Sequence, residues 1–267
     1  MLLEVRDLVI DYRVTRGNVR AVDGVSFNVP AGAVVGVVGE SGCGKTTAVR
    51  AITRVMPSSA VFTAGSILLE GEDLVQLSDR EMKKHLWRDI AYVPQSAMNA
   101  LDPVWRVGKQ IEEVLVDRGR MNRKVARARS EELFAMVGLE AKRLNDYPHQ
   151  FSGGMRQRAS IALALALSPK LVIADEPVTA LDVVIQRQVL DSFAELQKKL
   201  GLSVILVTHD ISVVAYVCDY VVVMYAGKVV ESGPVADVLD NPSHPYTMGL
   251  YNAFPELAGE DRELSPI

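Results

Sequence analysis

The most restrictive feature of this sequence is a buried strand that runs directly into a glycine-rich turn and then into a helix. Residues 34–38 are apolar and mostly β-branched, which predicts a strand buried on both faces, as in a parallel sheet. The turn reads Gly39-Glu40-Ser41-Gly42-Cys43-Gly44-Lys45-Thr46, and residues 46–55 then have helical spacing. This order favours an α/β fold with a parallel sheet at its centre.

The turn matches the pattern G-x-x-x-x-G-K-[ST], which binds phosphate groups. Its glycines allow backbone N–H groups to surround the phosphates, and the following helix adds the positive end of its dipole. Lys45 would reach the β- and γ-phosphates, and Thr46 can ligate Mg²⁺. The alternative is a tight glycine turn without a ligand, but that alternative does not explain the strand and helix on either side.

A second apolar strand, predicted at 171–174, ends in two carboxylates, Asp175 and Glu176. In α/β folds ligands bind at the carboxyl edge of the sheet. We expect Asp175 to hold Mg²⁺ through water and Glu176 to orient and polarise an attacking water. Strands often end in acidic residues, so this pair gains its meaning from the phosphate-binding loop.

The remaining elements complete a βαβ core with additions. Residues 3–12 and 21–29 alternate as edge strands of an antiparallel sheet do, with turns predicted at Gly17-Asn18 and at Pro30-Ala31-Gly32. Further predicted elements are a helix at 183–200, a buried strand at 204–207, strands at 220–224 and 228–231 around Ala226-Gly227, and two short helices after them. The segment at about 96–165 has helical periodicity without strand signals, which predicts an inserted helical subdomain.

Charge and composition exclude several classes of protein. The chain has 267 residues and a net charge of -4, so it does not attract a phosphate polymer in general, and no nucleic acid partner is expected. We interpret a basic run as solvated surface, with a binding patch as the alternative: Arg118, Arg120, Arg123, Lys124, Arg127, Arg129. Cys43 and Cys218 are too few for a disulfide framework, and no apolar stretch approaches the length that crosses a bilayer. A location in the cytoplasm is expected.

A third motif narrows the class of phosphate-binding protein. Phe151-Ser152-Gly153-Gly154-Met155-Arg156-Gln157-Arg158 resembles the signature motif of ABC transporter ATPases, which other phosphate-loop ATPases lack. Its usual form is L-S-G-G-Q, so Phe151 and Met155 depart from it, while the Ser-Gly-Gly that would meet a γ-phosphate is intact. Without the resemblance, Ser152 would simply be the N-cap of a long helix.

Other positions follow the order of that family over nearly the whole chain. Gln95 resembles the Q-loop residue, which contacts Mg²⁺ and the transporter, and Ala180-Leu181-Asp182 resembles the D-loop. His209, after a buried strand, resembles the switch histidine that contacts the γ-phosphate. Tyr12 lies where the family places an aromatic ring against adenine, with plain packing as the alternative.

The resemblance therefore implies a set of site residues. Catalysis is expected of Glu176, His209 and Lys45, and Mg²⁺ binding of Thr46, Gln95 and Asp175. The residues expected to bind ATP are Tyr12, Gly39, Glu40, Ser41, Gly42, Cys43, Gly44, Lys45, Thr46, Thr47 and Gln95. Those expected to contact ATP held by a partner subunit are Ser152, Gly153 and Gly154, with Asp182 in the D-loop.

The C-terminal part points to one branch of the family. Asn241-Pro242-Ser243-His244-Pro245-Tyr246-Thr247 resembles a segment of oligopeptide/dipeptide importer ATPases, and the stretches at 100–104 and 147–151 agree with it. His244 is then a family mark and not a metal ligand. Many relatives continue into a cysteine-bearing extension that holds an iron–sulfur cluster. This sequence lacks those cysteines, so no such cluster is expected.

These resemblances imply an ATP-hydrolysing subunit with the phosphate-loop core of ABC type, an antiparallel β-subdomain and a helical subdomain. The expected limits are about 1–95 and 166–233 for the core, 96–165 for the helical subdomain and 234–267 for a C-terminal extension. Expected partners are a second ATP-binding subunit, identical or paralogous, two membrane permeases and, indirectly, an extracytoplasmic solute-binding protein. The chain would sit at the cytoplasmic face of the plasma membrane.

The solute stays open, because the same branch serves oligopeptides, dipeptides, nickel chelates and oligosaccharides. A rival function is that of a soluble ABC protein acting on ribosomes or DNA, but such proteins normally show tandem cassettes or a long coiled-coil insertion. A small-molecule kinase with a phosphate loop is a further alternative, but it leaves the signature motif unexplained.

Overall fold

The structure is a computed structural model, and it describes residues 1–95, 100–178 and 182–252. The chain divides into two compact units. The first contains Met1–Asp79 and the described residues from Ser203 onward, and the second is Arg80–Leu202. The phosphate-binding loop and His209 therefore lie in the first unit, and the acidic strand end and the Ser-Gly-Gly motif lie in the second.

Strands and helices are interspersed along the chain. The strands are β1 Leu3–Val14, β2 Gly17–Val29, β3 Val34–Val38, β4 Ala60–Leu69, β5 Glu72–Asp73, β6 Ile90–Val93, β7 Leu171–Asp175, β8 Ser203–Thr208, β9 Tyr220–Tyr225 and β10 Lys228–Pro234. The helices are α1 Lys45–Thr53, α2 Asp79–His85, α3 Val107–Asp117, α4 Arg123–Met136, α5 Gly153–Ala164, α6 Val183–Leu200, α7 Ile211–Val217, α8 Val235–Asp240 and α9 Pro245–Asn252.

In the first unit, an antiparallel sheet has the strand order β2-β1-β4-β5. β1 and β2 pair antiparallel as predicted, with Leu3 opposite Val29. β2 lies at the edge of the sheet, but the edge position predicted for residues 3–12 is wrong, because β1 also pairs with β4. The turn predicted at Gly17-Asn18 is wrong, because Gly17 pairs with Val14 and the turn is formed by the two residues before it. Gly17 is the first residue of β2, and its φ of 131° is a backbone conformation that glycine adopts without steric cost.

The same unit contains the parallel strands that carry the phosphate-binding loop. β3 pairs in parallel with β8 on one side and with β9 on the other, and β10 continues the sheet antiparallel to β9. Every residue of β3 and β8 is buried, as the apolar sequences predict. The carboxyl ends of β3 and β8 therefore lie side by side, with Val38 opposite Thr208.

The second unit combines a short parallel pair of strands with helices. β6 pairs with β7, so that Val93 lies opposite Ala174. The described residues between β6 and β7 are helical or irregular, which agrees with the absence of strand signals in the sequence of this segment. The basic run lies in the connection that follows α3 and in α4, where Arg127 pairs with the partly buried Glu112 and with Glu131.

The fold class predicted from the sequence is confirmed: an α/β core with an antiparallel sheet and a helical part. The limits given for the helical subdomain and the C-terminal extension stay predictions. Across the described ranges, no helix has both the length and the apolar composition that crossing a bilayer requires.

Candidate functional site

The phosphate-binding loop has a backbone that only glycine adopts easily. Gly39, Gly42 and Gly44 have φ values of 151°, 84° and 104°. A Cβ atom at Gly39 would lie 2.2 Å from the carbonyl oxygen of Met224, and one at Gly44 would lie 2.4 Å from that of Ala21. Side chains at these two positions would therefore displace the neighbouring strands as well as strain the loop.

Lys45 is the first residue of α1, and its side chain folds back over the loop. The residue is only 5% exposed, and its Nζ donates hydrogen bonds of 2.7 Å to the carbonyl oxygens of Gly39 and Glu40. The ammonium group is thus held at the loop by its backbone. Thr46 and Thr47 follow in the first turn of α1, where the helix dipole is positive.

Tyr12 on β1 is brought to the helix that follows the loop. Its hydroxyl lies 3.2 Å from the Thr47 hydroxyl, and the ring is partly exposed. The contact places an aromatic ring beside the loop, as expected for a residue that stacks on a nucleotide base. Stacking itself stays a prediction.

Two elements from the C-terminal part of the first unit support the loop from outside. In the turn between β9 and β10, the Gly227 amide donates a hydrogen bond of 2.9 Å to the Cys43 carbonyl oxygen. On α9, the Tyr246 hydroxyl accepts a hydrogen bond of 2.9 Å from the Glu40 amide. In the sequence, Tyr246 is recognisable only as part of a segment that marks a family, and no local pattern indicates this contact.

His209 lies immediately after β8 and is exposed. The next residue, Asp210, caps α7 by accepting a hydrogen bond of 2.8 Å from the Ser212 amide. The Asp210 amide also donates to the Thr208 hydroxyl at 3.0 Å. His209 is therefore presented between a buried strand end and a capped helix, at the carboxyl edge of the parallel strands.

In the second unit, Asp175 is the last residue of β7 and is fully buried. Its Oδ2 accepts a hydrogen bond of 2.7 Å from the hydroxyl of Tyr92 on β6. A buried carboxylate needs such a donor, because burial without hydrogen bonds strongly disfavours the charged form. Tyr92 was not recognised from the sequence, although it stands three residues before Gln95.

Glu176 follows Asp175 in a strained conformation and contacts the predicted Q-loop residue. Its φ is 48°, which is uncommon for a residue with a side chain. The Gln95 Nε2 donates a hydrogen bond of 2.8 Å to the Glu176 Oε2. The structure thus brings together two residues whose roles the sequence suggested separately. Strain of this kind is frequent at functional sites.

The Ser-Gly-Gly motif begins α5. Ser152 is exposed and caps the helix by accepting a hydrogen bond of 3.3 Å from the Met155 amide. Gly154 is buried, and a Cβ atom there would lie 2.6 Å from the Cγ2 of Ile185 on α6. Asp182 caps α6 in the same way through the Ile185 amide. Of the predicted D-loop, Ala180 and Leu181 lie outside the described residues.

Comparison with known proteins shows what this combination resembles. Residues 22–179 match the family described as ABC transporter, and residues 230–267 match the family described as oligopeptide/dipeptide transporter, C-terminal region. The oligopeptide transport ATP-binding protein OppD of Bacillus subtilis is 47% identical over 98% of this chain and 74% of its own length. The dipeptide transport ATP-binding protein DppD of the same organism is 46% identical over 100% of this chain and 80% of its own length.

Solved structures agree with the sequence comparison. The dimeric structure of MJ0796, described as a bacterial ABC transporter cassette, has a TM-score of 0.77 and 28% identity, covering 87% of this chain and 98% of that one. The structure of cbiO1 from Clostridium perfringens, part of the ABC transporter complex cbiONQ, has a TM-score of 0.76 and 26% identity, covering 90% and 91%. This chain therefore belongs to the ABC transporter family, in its oligopeptide/dipeptide transporter branch.

Proposed function

We propose that this chain is the ATP-hydrolysing subunit of an importer for oligopeptides or dipeptides. The observation that carries the proposal is the position of the buried Lys45. Its ammonium group donates two hydrogen bonds to carbonyl oxygens of the loop, and the glycines of that loop have positive φ. This arrangement presents backbone N–H groups and an ammonium group to the phosphates of a nucleotide. The named relatives support the peptide branch.

The oxygen ligands that a magnesium nucleotide requires are present among the candidate residues. Thr46 offers a hydroxyl, Gln95 an amide oxygen and Asp175 a buried carboxylate at a strand end, and Mg²⁺ prefers such hard oxygen donors. When bound, the ion neutralises charge on the phosphate oxygens. Tyr92 contributes by fixing one oxygen of Asp175, so that the carboxylate keeps one orientation.

Hydrolysis needs a water molecule directed at the γ-phosphorus. Glu176 would polarise that water and accept its proton while the water oxygen bonds to the γ-phosphorus. The bond from this phosphorus to the bridging oxygen breaks, and ADP leaves with that oxygen. The bond from Gln95 restricts the Glu176 carboxylate, and His209 would contact the γ-phosphate. Lys45 would stabilise negative charge that develops in the transition state.

Membership of the family and the dimeric form of a related cassette support a proposal for the partner subunits. A second ATP-binding subunit would supply Ser152, Gly153 and Gly154 to the nucleotide held by the first subunit's loop. The closing dimer would move two permeases at the cytoplasmic face of the plasma membrane, while an extracytoplasmic binding protein delivers the solute. Tyr12 would stack on adenine.

The test reconstitutes the chain with its candidate permeases, solute-binding protein and second ATPase in proteoliposomes. ATP hydrolysis should rise when peptide-loaded binding protein is present, and Lys45→Ala should abolish both basal and stimulated activity. Lys124→Ala removes an exposed lysine and should leave both activities unchanged. Absence of hydrolysis in the intact assembly would contradict the ATPase function. Hydrolysis without peptide stimulation or peptide uptake would contradict the peptide class.

A further inference from the structure

One peptide unit of the phosphate-binding loop is held by hydrogen bonds at both of its polar groups. The carbonyl oxygen of Gly39 accepts a bond of 2.7 Å from the Lys45 Nζ, and the amide of Glu40 donates a bond of 2.9 Å to the Tyr246 hydroxyl. These two groups belong to the same planar peptide. Its orientation therefore depends on the loop's own lysine and on a residue 206 positions away.

The backbone at Gly39 does not by itself fix the orientation of this peptide. Gly39 has a φ of 151°, a region that glycine enters and leaves without the steric barrier of a Cβ atom. Rotation of the peptide would turn the Gly39 carbonyl oxygen away from the Lys45 ammonium group. A hydrogen bond to the adjoining Glu40 amide opposes that rotation. Bonds at the two ends of one amide also strengthen each other by polarisation.

The Tyr246 side chain is itself fixed. It is 6% exposed, and its ring packs against Tyr225 with the centroids 4.6 Å apart. It belongs to a hydrophobic cluster with Val38, the residue before the loop, and with Leu250 on the same helix. Burial raises the pKa of Tyr246, so its hydroxyl stays protonated at neutral pH.

The start of α9 is anchored by a carboxylate from the neighbouring hairpin. Glu231 on β10 accepts hydrogen bonds of 2.7 Å from the Ser243 amide and 3.1 Å from the His244 amide. The Tyr246 amide in turn donates to the His244 Nδ1 at 3.1 Å. The segment that marks the oligopeptide/dipeptide branch thus has a defined position from which the Tyr246 hydroxyl reaches the loop.

We propose that Tyr246 is a positioning residue for ATP binding, which sets the Gly39–Glu40 peptide and, through it, the Lys45 ammonium group. This inference rests on the proposed ATPase function and assigns a role in it to the C-terminal segment. Tyr246 contacts the loop backbone and not the reacting atoms. Lys45 would contact the phosphates both in bound ATP and in the transition state, so a shift of its ammonium group should weaken both states alike. The effect of Tyr246 should therefore appear in nucleotide affinity, with little effect on the rate at saturating ATP.

The test is Tyr246→Phe, which removes the hydroxyl and keeps the ring against Tyr225. The dissociation constant for ATP and the KM should rise about three- to tenfold, the range expected for one lost hydrogen bond, while kcat stays within about twofold. Amide hydrogen exchange should become faster at Glu40 and stay unchanged at Val37 within β3. Faster exchange at Glu40 is a readout that loss of general packing would not produce selectively.

Leu250→Ala is the matched control, because Leu250 lies on the same helix and in the same cluster, and its aliphatic side chain cannot hydrogen-bond to the loop backbone. It should lower the midpoint of thermal unfolding more than Tyr246→Phe does and leave the ATP dissociation constant at the wild-type value. Leu250→Val gives a milder version if the alanine variant does not fold.

Three results would overturn the inference, and they are distinguishable. Wild-type ATP affinity in Tyr246→Phe would remove the positioning role while leaving the ATPase function intact. An equal loss of affinity in the Leu250 variant would reduce the effect of Tyr246 to packing. Failure of the wild-type chain to bind ATP would overturn the proposed function and this inference together.

Discussion

The side-chain amide of Gln95 donates a hydrogen bond of 2.8 Å to the carboxylate of Glu176, two residues 81 positions apart in the sequence. The bond orients the carboxylate that is expected to polarise water. Glu176 also has a positive φ, so its backbone and its side chain are both constrained.

Glu176→Gln should stop ATP turnover and preserve ATP binding. The amide has the shape of the carboxylate but does not accept a proton, so the rate should fall by about 10²- to 10⁴-fold. Single-turnover hydrolysis measures the rate of turnover. Size-exclusion chromatography in the presence of ATP measures ATP-dependent dimerisation, which reports ATP binding. Glu113→Gln makes the same chemical change at an exposed position of α3 and should behave as wild type. Turnover near the wild-type rate in Glu176→Gln would remove this residue from catalysis.

Tyr92→Phe should weaken Mg²⁺ binding at the nucleotide site, so that hydrolysis requires a higher Mg²⁺ concentration. The substitution deletes the hydroxyl that donates to the buried Asp175, and loss of a partner that orients a metal ligand typically costs 10- to 100-fold in metal affinity. The Mg²⁺ concentration for half-maximal hydrolysis should therefore rise about tenfold at fixed ATP. Tyr220→Phe, at an exposed ring, is the control. An unchanged Mg²⁺ titration would show that Asp175 keeps its orientation without Tyr92.

Tyr12→Ala should weaken nucleotide binding by about 1–2 kcal/mol, whereas Tyr12→Trp should be tolerated, because a stacking site accepts any aromatic face. Tyr12→Phe separates stacking from the contact between the Tyr12 and Thr47 hydroxyls. If stacking dominates, the phenylalanine variant keeps most of the affinity. Titration with a fluorescent nucleotide gives the dissociation constants of the wild type and of the three variants. Equal affinities for the alanine variant and the wild type would make Tyr12 a packing residue.

Gly154→Ala should destabilise the second unit by about 1–3 kcal/mol, because the new Cβ atom would lie 2.6 Å from the Ile185 Cγ2. The helix propensity of alanine opposes this effect by up to about 1 kcal/mol. Ile185→Ala removes the obstructing atom, so the double variant should recover stability relative to the sum of the single variants. Urea unfolding of all four proteins measures the coupling. Strictly additive effects would mean that α5 and α6 separate at no cost.

The sequence predicted the parts of the fold whose local pattern matches their environment. The strand at 34–38 and the strands ending near Ala174 and Val207 are apolar runs, and the structure buries each of them. β4 was not predicted, since Gly65 interrupts its alternation and the strand depends on pairing with β1 through irregular register. β6 is only four residues long, too short for periodicity to indicate it.

The candidate site likewise contains some features that the sequence predicts and others that it does not. Motifs of consecutive residues, such as the phosphate-binding loop, could be predicted from the sequence because the residues that act together are neighbours in the chain. The contacts of Tyr92 with Asp175 and of Tyr246 with Glu40 join residues 83 and 206 positions apart. Such contacts depend on how strands and helices pack, so one sequence gives no signal for them beyond the presence of a tyrosine.

A nucleotide site shared between two subunits should show complementation between variants. If Ser152 serves the nucleotide held by the partner's loop, Lys45→Ala and Ser152→Arg should each be nearly inactive as homodimers. A mixed dimer of the two variants contains one site with an intact loop and an intact Ser-Gly-Gly motif. Mixing should therefore recover part of the activity, up to about half in a fully mixed dimer in which the two sites work independently.

The measurement is steady-state phosphate release against protein concentration for each variant alone, for the mixture, and for each with the candidate paralogue added. Recovery on mixing indicates that the chain pairs with itself, and recovery only with the paralogue indicates a heterodimer. Ser152 caps α5, so Ser152→Ala provides a check on folding, with an expected cost of about 1 kcal/mol in stability. Full activity of Ser152→Arg alone, together with a wild-type specific activity that stays constant at concentrations where no dimer forms, would exclude the shared site.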